Sequence, residues 1–247
     1  LQNEIPETEA DSIFFLTTDL CPEHRSAVIS AVRDRLSAHL PCRVVSTQCI
    51  ESGVDLDFAS MYRALAPLEA IIQAAGRCNR NGNNPDSGLV TVFIPEDKRE
   101  IYPSNSYRYA AHIVKLMCSG GELDIHDPAV IAEYYRRLFS DAKDKLAGAI
   151  AREDYSAVNQ EYELIGKHGV QVVVPYNQSL FEEIRIEAQN TGVTPALIKK
   201  AAPITVSSFH EELVRKYCEQ IPGRRRRHSE PVESDFYILS TGHENYY

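Results

Sequence analysis

The 247-residue chain carries 26 Lys and Arg against 35 Asp and Glu, a formal net charge of −9, with 43% hydrophobic and 25% charged residues. That is the composition of a globular protein able to bury a substantial core. Its acidic balance speaks against coating nucleic acid with a broad basic face, though not against gripping a strand in a narrow, locally basic channel. No apolar run reaches the length of a membrane span and no signal-peptide pattern opens the chain; its six cysteines contain no CxxC pair, so the expectation is reduced thiols in the cytoplasm, with neither a zinc site nor a disulfide framework.

Residues 12–18 (SIFFLTT) read as a buried strand ending in hydroxyls, and Pro22 opens a helix that runs to about His39, with Val28, Val32 and Leu36 at four-residue steps. Residues 43–47 (RVVST) form a second strand. A looser stretch, GVDLDF, leads to a third strand at 61–65, and Pro67 opens a helix expected to carry Gln73, Gly76, Arg77 and Arg80 until the Asn/Gly/Pro-rich turn of residues 81–88. Residues 88–94 (GLVTVFI) are a further strand. Strands alternating with helices imply parallel pairing in an α/β domain.

After Pro95 the pattern becomes mixed α+β. Helices are expected at 107–118, starting at Asp127-Pro128 with helical pattern dominating until about Leu164, at 180–189 and at 209–220, with strands at 170–176 and 236–240. The domain boundary is placed near residue 97, giving domains 1–97 and 98–247.

In an open parallel sheet, ligands bind beyond the carboxyl ends of the strands. Thr17 and Thr18 end the first strand, Ser46 and Thr47 the second, and Gly53 and Asp55 follow. Short hydroxyls beside free backbone N–H groups suit phosphate oxygens, a glycine allows positive φ or close approach, and a carboxylate accepts from a ribose hydroxyl. Planar guanidinium forks suit phosphate. Gln73, Arg77 and Arg80 are expected on one helical face, with Gly76 allowing that helix to approach a neighbour.

STQCIESGVDLDF followed by QAAGRCNRNG resembles motifs V and VI of superfamily 2 helicases. FFLTTDLCPEHR, RVVSTQCIESGVDLDF and APLEAIIQAAGRCNRNG, in that order, resemble more narrowly the CRISPR-associated helicase–nuclease of type I interference systems. The likeness covers residues 12–95 well; VVVPY, ITVSS and FYILS resemble that family's C-terminal accessory domain more weakly.

The resemblance implies an N-terminally incomplete RecA-like parallel-sheet domain over 1–97, its first strand missing, and an α+β accessory domain over 98–247. Arg77 and Arg80 would be arginine fingers in ATP hydrolysis, with Gln73 ordering their helix. Gly53, Asp55 and Gly76 would lie by the nucleotide. Thr17, Thr18, Arg25, Ser46 and Thr47 would hold single-stranded DNA. The phosphate loop GxxxxGK[ST] is absent from these residues, the one Gly-Lys pair being Gly166-Lys167 before His168, and there is no Asp-Glu dipeptide. In the family both belong to a first RecA-like domain preceded by an HD nuclease domain. ATP and Mg2+ would therefore be held mainly by that first domain, and this chain, a C-terminal part cut inside a domain, would be inactive alone. The implied partners are those domains, single-stranded DNA and a CRISPR surveillance complex, with no membrane. Two other readings are a non-catalytic nucleic-acid or protein binding module, and part of another superfamily 2 enzyme such as an RNA helicase.

Several groups invite other readings. Asp127 beside His126 reads as a helix N-cap before Pro128 rather than a metal ligand. His210-Glu211 lacks the second His of a zinc-protease helix. Arg224 to Arg227 is the densest positive charge, an exposed loop or a contact with DNA or a partner.

Overall fold

The computed structural model describes residues 12–50, 54–82, 88–96, 102–119, 121, 123–140, 150–156, 169–223 and 234–240. Contacts group the chain into two units, Leu1–Cys49 with Leu164–Tyr247 and Ile50–Glu163, a division that crosses the boundary expected near residue 97.

In the first unit β1 (Ile13–Leu16), α1 (Pro22–Ser37) and β2 (Arg43–Ser46) form a β–α–β unit, β1 and β2 pairing in parallel with Leu16 opposite Ser46. Pro22 sits at the first turn of α1, where its missing N–H costs nothing. Of the apolar positions expected at four-residue steps, Val32 is the buried one. Strand β5 (Val170–Val173) pairs in parallel with β8 (Phe236–Leu239) and antiparallel with β6 (Thr205–Ser208), while β7 (Cys218–Gln220) closes the order β6-β5-β8-β7. Helices α5 (Gln178–Thr191) and α6 (Pro195–Ala201) cover one face of this sheet through Phe181, Ile184, Ala188 and Leu197. Cys21, Val170, Val172, Val174, Val214 and Tyr237 form a second cluster, so the start of α1 is anchored to the sheet. His24 stacks on Tyr176 at 4.5 Å and the Asn177 amide donates to Glu23 at 3.1 Å.

In the second unit β3 (Ser60–Ala64), α2 (Leu68–Ala75) and β4 (Leu89–Phe93) form another parallel β–α–β unit. Helix α2 buries Leu68, Ala70, Ile71 and Ala74 against α3 (Asn105–Cys118) and α4 (Pro128–Leu138). Tyr134 of α4 is fully buried, and its hydroxyl donates to Glu69 at 2.9 Å; burial, then this carboxylate, push the phenol pKa upward. Asp127 caps α4 by accepting from Ala129 N at 2.8 Å, as its place before Pro128 leads one to expect.

Four expectations are corrected. The parallel strands come as two separate pairs rather than one sheet. The 209–220 segment is helical only over α7 (Glu211–Tyr217), because residues 218–220 pair with β8 instead. Helix α6 and strand β6 were not expected as elements. Most consequentially, α2 stops at Ala75, before both arginines. Of the helical pattern expected from Asp127-Pro128 to about Leu164, α4 ends at Leu138; residues 141–149 and 157–168, Gly53, and residues 224–227 lie outside the described residues. No helix among the described residues is long and apolar enough to cross a membrane.

Candidate nucleotide and nucleic-acid site

The segment Val54 to Asp57 alternates buried and outward residues: Val54 and Leu56 are buried, Asp55 is exposed and Asp57 half-buried. In extended backbone this period of two puts both carboxylates on the outward side. They meet the residues that follow α2. Gly76 ends that helix, and the next residues leave helical geometry because a better partner is at hand. Cys78 bridges Phe58 in parallel. Phe58 N donates to Arg77 O at 3.0 Å and Asn79 N donates to Phe58 O at 2.8 Å. Asn79 adopts φ 51, a left-handed conformation that Asn tolerates, and Gly82 N closes the turn on Asn79 O at 3.0 Å. Gln73, exposed on α2, Arg77 and Arg80 therefore do not share a helical face. The two arginines sit on a turn whose shape comes from a long-range bridge. Gly76 is exposed, and a side chain there would touch only carbonyls of its own helix at 3.4 and 3.7 Å, so it is not a close-approach position among the described residues.

Arg80 Nη1 lies 3.3 Å from Asp55 Oδ1, with 43% and 79% of the two side chains exposed. The structure thus joins a residue expected by the ribose to one expected at the phosphates. Asp57 accepts from Arg80 N at 2.7 Å and Asn81 N at 3.0 Å. A Cβ on Gly88 would meet Cys78 Sγ at 2.7 Å, Asn79 Cβ at 2.9 Å and Cys78 C at 3.0 Å, so this glycine lets β4 lie directly against the arginine turn. The Cys78 thiol donates to Ala59 O and Leu89 O at 3.6 and 3.5 Å. Burial, then Asp57, push its pKa up, which keeps it the thiol that donates. Asp57, Gly88 and Cys78 were not singled out from sequence; the alternation in VDLD was the available signal for Asp57.

In the first unit, the ends of β1 and β2 bring Thr17, Thr18, Ser46 and Thr47 to one edge. Thr47 N donates to Leu16 O at 3.1 Å and the Cys49 thiol donates to the same carbonyl at 3.2 Å. Thr47 Oγ1 donates to Cys49 Sγ at 3.5 Å, while Ser46 Oγ reaches that sulfur at 3.6 Å and donates to Thr47 O at 2.8 Å. Cys49, not expected as a site residue, links the two strand ends. Thr17 Oγ1 accepts from Asp19 N at 3.0 Å, an ST-type turn that spends it locally, whereas Thr18 is exposed. Thr18 and Arg25 line one groove of about 770 Å³ with Ser207, Ser208, Phe209 and His210. Among the described residues, no group of three or more His, Cys, Asp or Glu is placed to hold a metal ion.

Parallel β–α–β units followed by an accessory α/β sheet are the elements of a RecA-like fold with an added accessory domain. Residues 1–83 match the Cas3-like family described as CRISPR-associated nuclease/helicase Cas3, C-terminal. Over 78 residues the chain is 44% identical to the CRISPR-associated nuclease/helicase Cas3 of Haloferax volcanii, covering 30% of this chain and 8% of that protein. Over 90 residues it is 32% identical to that of Methanothermobacter thermautotrophicus, covering 35% of this chain and 11% of that protein. In fold it is similar to the crystal structure of T. fusca Cas3-ATP, with TM-score 0.57 and 17% identity over 94% of this chain and 33% of that one. It is also similar to a chain of a CRISPR RNA-guided surveillance complex, pre-nicking, with TM-score 0.52 and 17% identity over 92% of this chain and 34% of that one. The resemblance read from the motifs is borne out: residues 1–83 match the Cas3-like C-terminal family model, and the chain is similar in sequence and in fold to a C-terminal portion of Cas3.

Proposed function

We propose that this chain is the C-terminal helicase part of an ATP-dependent single-stranded DNA translocase acting in CRISPR type I interference, the whole protein unwinding and degrading target DNA. The observation that carries the reading is the Asp55–Arg80 contact, which brings members of two helicase motifs to one place. An exposed carboxylate beside an exposed guanidinium fits a nucleotide: the carboxylate accepts from ribose hydroxyls and the guanidinium donates to phosphate oxygens. Arg77 and Arg80 stabilise the charge that develops on the transferred phosphoryl group, with Gln73 nearby in sequence on α2. Asp55, with Gly53 and Gly76, borders the nucleotide. Thr18, Ser46 and Thr47 hold DNA phosphates, with Thr17 and Arg25 beside them.

ATP and Mg2+ are held mainly by a first RecA-like domain, whose phosphate loop and acidic pair these residues do not supply. Hydrolysis then alternately closes and opens the cleft between the two RecA-like domains, moving the strand. Exposed apolar side chains on both parallel pairs, Phe15 and Val45 on one and Tyr62 and Leu89 on the other, support work within a larger protein, since parallel strands are normally covered on both faces. Further partners are the HD nuclease domain and a CRISPR surveillance complex, and the site of action is the cytoplasm. The test is ATP hydrolysis with and without single-stranded DNA, measured on the longer protein and on this chain alone. DNA-stimulated turnover by the first and none by the second is expected; turnover by this chain alone contradicts the two-domain site.

A further inference from the structure

We infer that Asp57 is a positioning residue for Arg80, fixing the backbone of the arginine turn so that the guanidinium is delivered to the nucleotide; this rests on the role proposed above for Arg80. Both oxygens of Asp57 are used on consecutive amides of the turn: Oδ1 accepts from Arg80 N at 2.7 Å and Oδ2 from Asn81 N at 3.0 Å. Hydrogen bonds to an ionised acceptor are shorter and stronger than neutral ones, and two in a row fix an orientation as well as a distance. The rest of the turn is held by backbone and by sulfur. Phe58 brackets Arg77 O and Asn79 N, and the Cys78 thiol reaches Ala59 O and Leu89 O. These contacts anchor the turn up to Asn79. Asp57 continues the hold through Arg80 and Asn81.

The anchor is held on both sides. Leu56 on one side is buried, and Phe58 on the other is the residue bridged to Cys78. Two residues before Asp57 on the same outward side, Asp55 meets the guanidinium of the same arginine at 3.3 Å. One short segment therefore holds Arg80 twice, Asp57 at its amide and Asp55 at its side-chain tip. The division of labour has a kinetic consequence. Asp55 competes with or hands over to ligand and acts on binding. Asp57, with both oxygens on backbone amides, acts on where Arg80 points in the transition state.

The test uses the longer protein and compares Asp57→Ala, Asp57→Asn and Arg80→Ala by DNA-stimulated ATP turnover, resolving kcat from KM for ATP, with thermal melting as a control for folding. Misplacement of a transition-state group by about 1 Å costs on the order of 100-fold in rate. Asp57→Ala is therefore expected to lower kcat by ~10- to 100-fold with KM for ATP changed by less than about threefold. Asp57→Asn, which keeps one acceptor oxygen, is expected to fall between Asp57→Ala and the parent. In an Arg80→Ala background, Asp57→Ala is expected to cost nothing further. If Arg80→Ala lowers turnover by about 10³-fold while folded Asp57→Ala and Asp57→Asn both keep parental kcat, the inference is overturned. It is overturned equally if Asp57→Ala still costs its full factor in the Arg80→Ala background. If Arg80→Ala itself leaves turnover intact, it is the arginine role that fails.

Discussion

Asp55 and Arg80 form an ion pair at 3.3 Å, one residue from the GVDLDF segment and the other from the turn after α2. Both side chains are substantially exposed, so water screens the pair and its share in stability is small, about 0–1 kcal/mol. Its interest is chemical: the two groups suited to opposite ends of a nucleotide are already adjacent.

Asp55→Asn removes the charge and retains the shape. In the longer protein this is expected to raise KM for ATP by about 3- to 10-fold, the cost of weakening a charge-assisted hydrogen bond. Melting temperature should hold within ~2 °C of the parent, as befits an exposed pair. A large fall in melting temperature with unchanged KM would assign Asp55 to the fold instead.

Gly88→Ala places a methyl group within 3.0 Å of Cys78 and Asn79. Overpacking against Cys78 and Asn79 is expected to destabilise the chain by roughly 1–3 kcal/mol. Urea unfolding followed by circular dichroism checks this. An unchanged midpoint would mean that the arginine turn moves freely away from β4.

Thr47→Ala and Cys49→Ala act at the joined ends of β1 and β2. Thr47→Ala is expected to weaken the stimulation of ATPase by single-stranded DNA more than the affinity for nucleotide. Cys49→Ala should do the same to a smaller degree by loosening Thr47, whose hydroxyl donates to the sulfur. DNA titration of the ATPase rate separates the effects; equal loss in both parameters would argue against a DNA-side role.

Glu133 on α4 receives hydrogen bonds from Arg136 and Arg137, which hold its carboxyl down to about 2. A carboxylate depressed in the folded state adds stability that is complete above its unfolded value of about 4.3 and disappears as pH falls through the folded value. Glu133→Gln should therefore melt below the parent at pH 6, with the gap closing between about pH 4.3 and about 2. A gap independent of pH would mean that the pair contributes nothing electrostatic.

The residues that the sequence makes legible are those governed by local rules. Pro22 marked the start of α1 and Asp127 the cap of α4, since both act within one turn of the chain. The strands at 13–16, 43–46, 60–64 and 89–93 followed from short apolar runs between turns. What was not legible came from contacts remote in sequence. The 77–80 stretch has a sound helical pattern, yet a bridge from Phe58 to Cys78 draws it into a turn. Cys218 to Gln220 continue a helical pattern too, until pairing with β8 claims them. Arg80 and Asp55 were each expected at a nucleotide site from motif resemblance, but their meeting depended on that same bridge. Asp57 carried its signal in the alternation of Val54 to Asp57, visible only once that segment is known to be extended.

The most direct test of the arginine-finger role proposed for Arg77 and Arg80 is the steady-state rate of DNA-stimulated ATP hydrolysis by the longer protein carrying Arg77→Ala or Arg80→Ala, measured beside its affinity for single-stranded DNA. Turnover is expected to fall by about 10³-fold or more, the scale of an arginine finger, with DNA affinity within a few-fold of the parent. Near-parental turnover in both variants would contradict the role proposed for them.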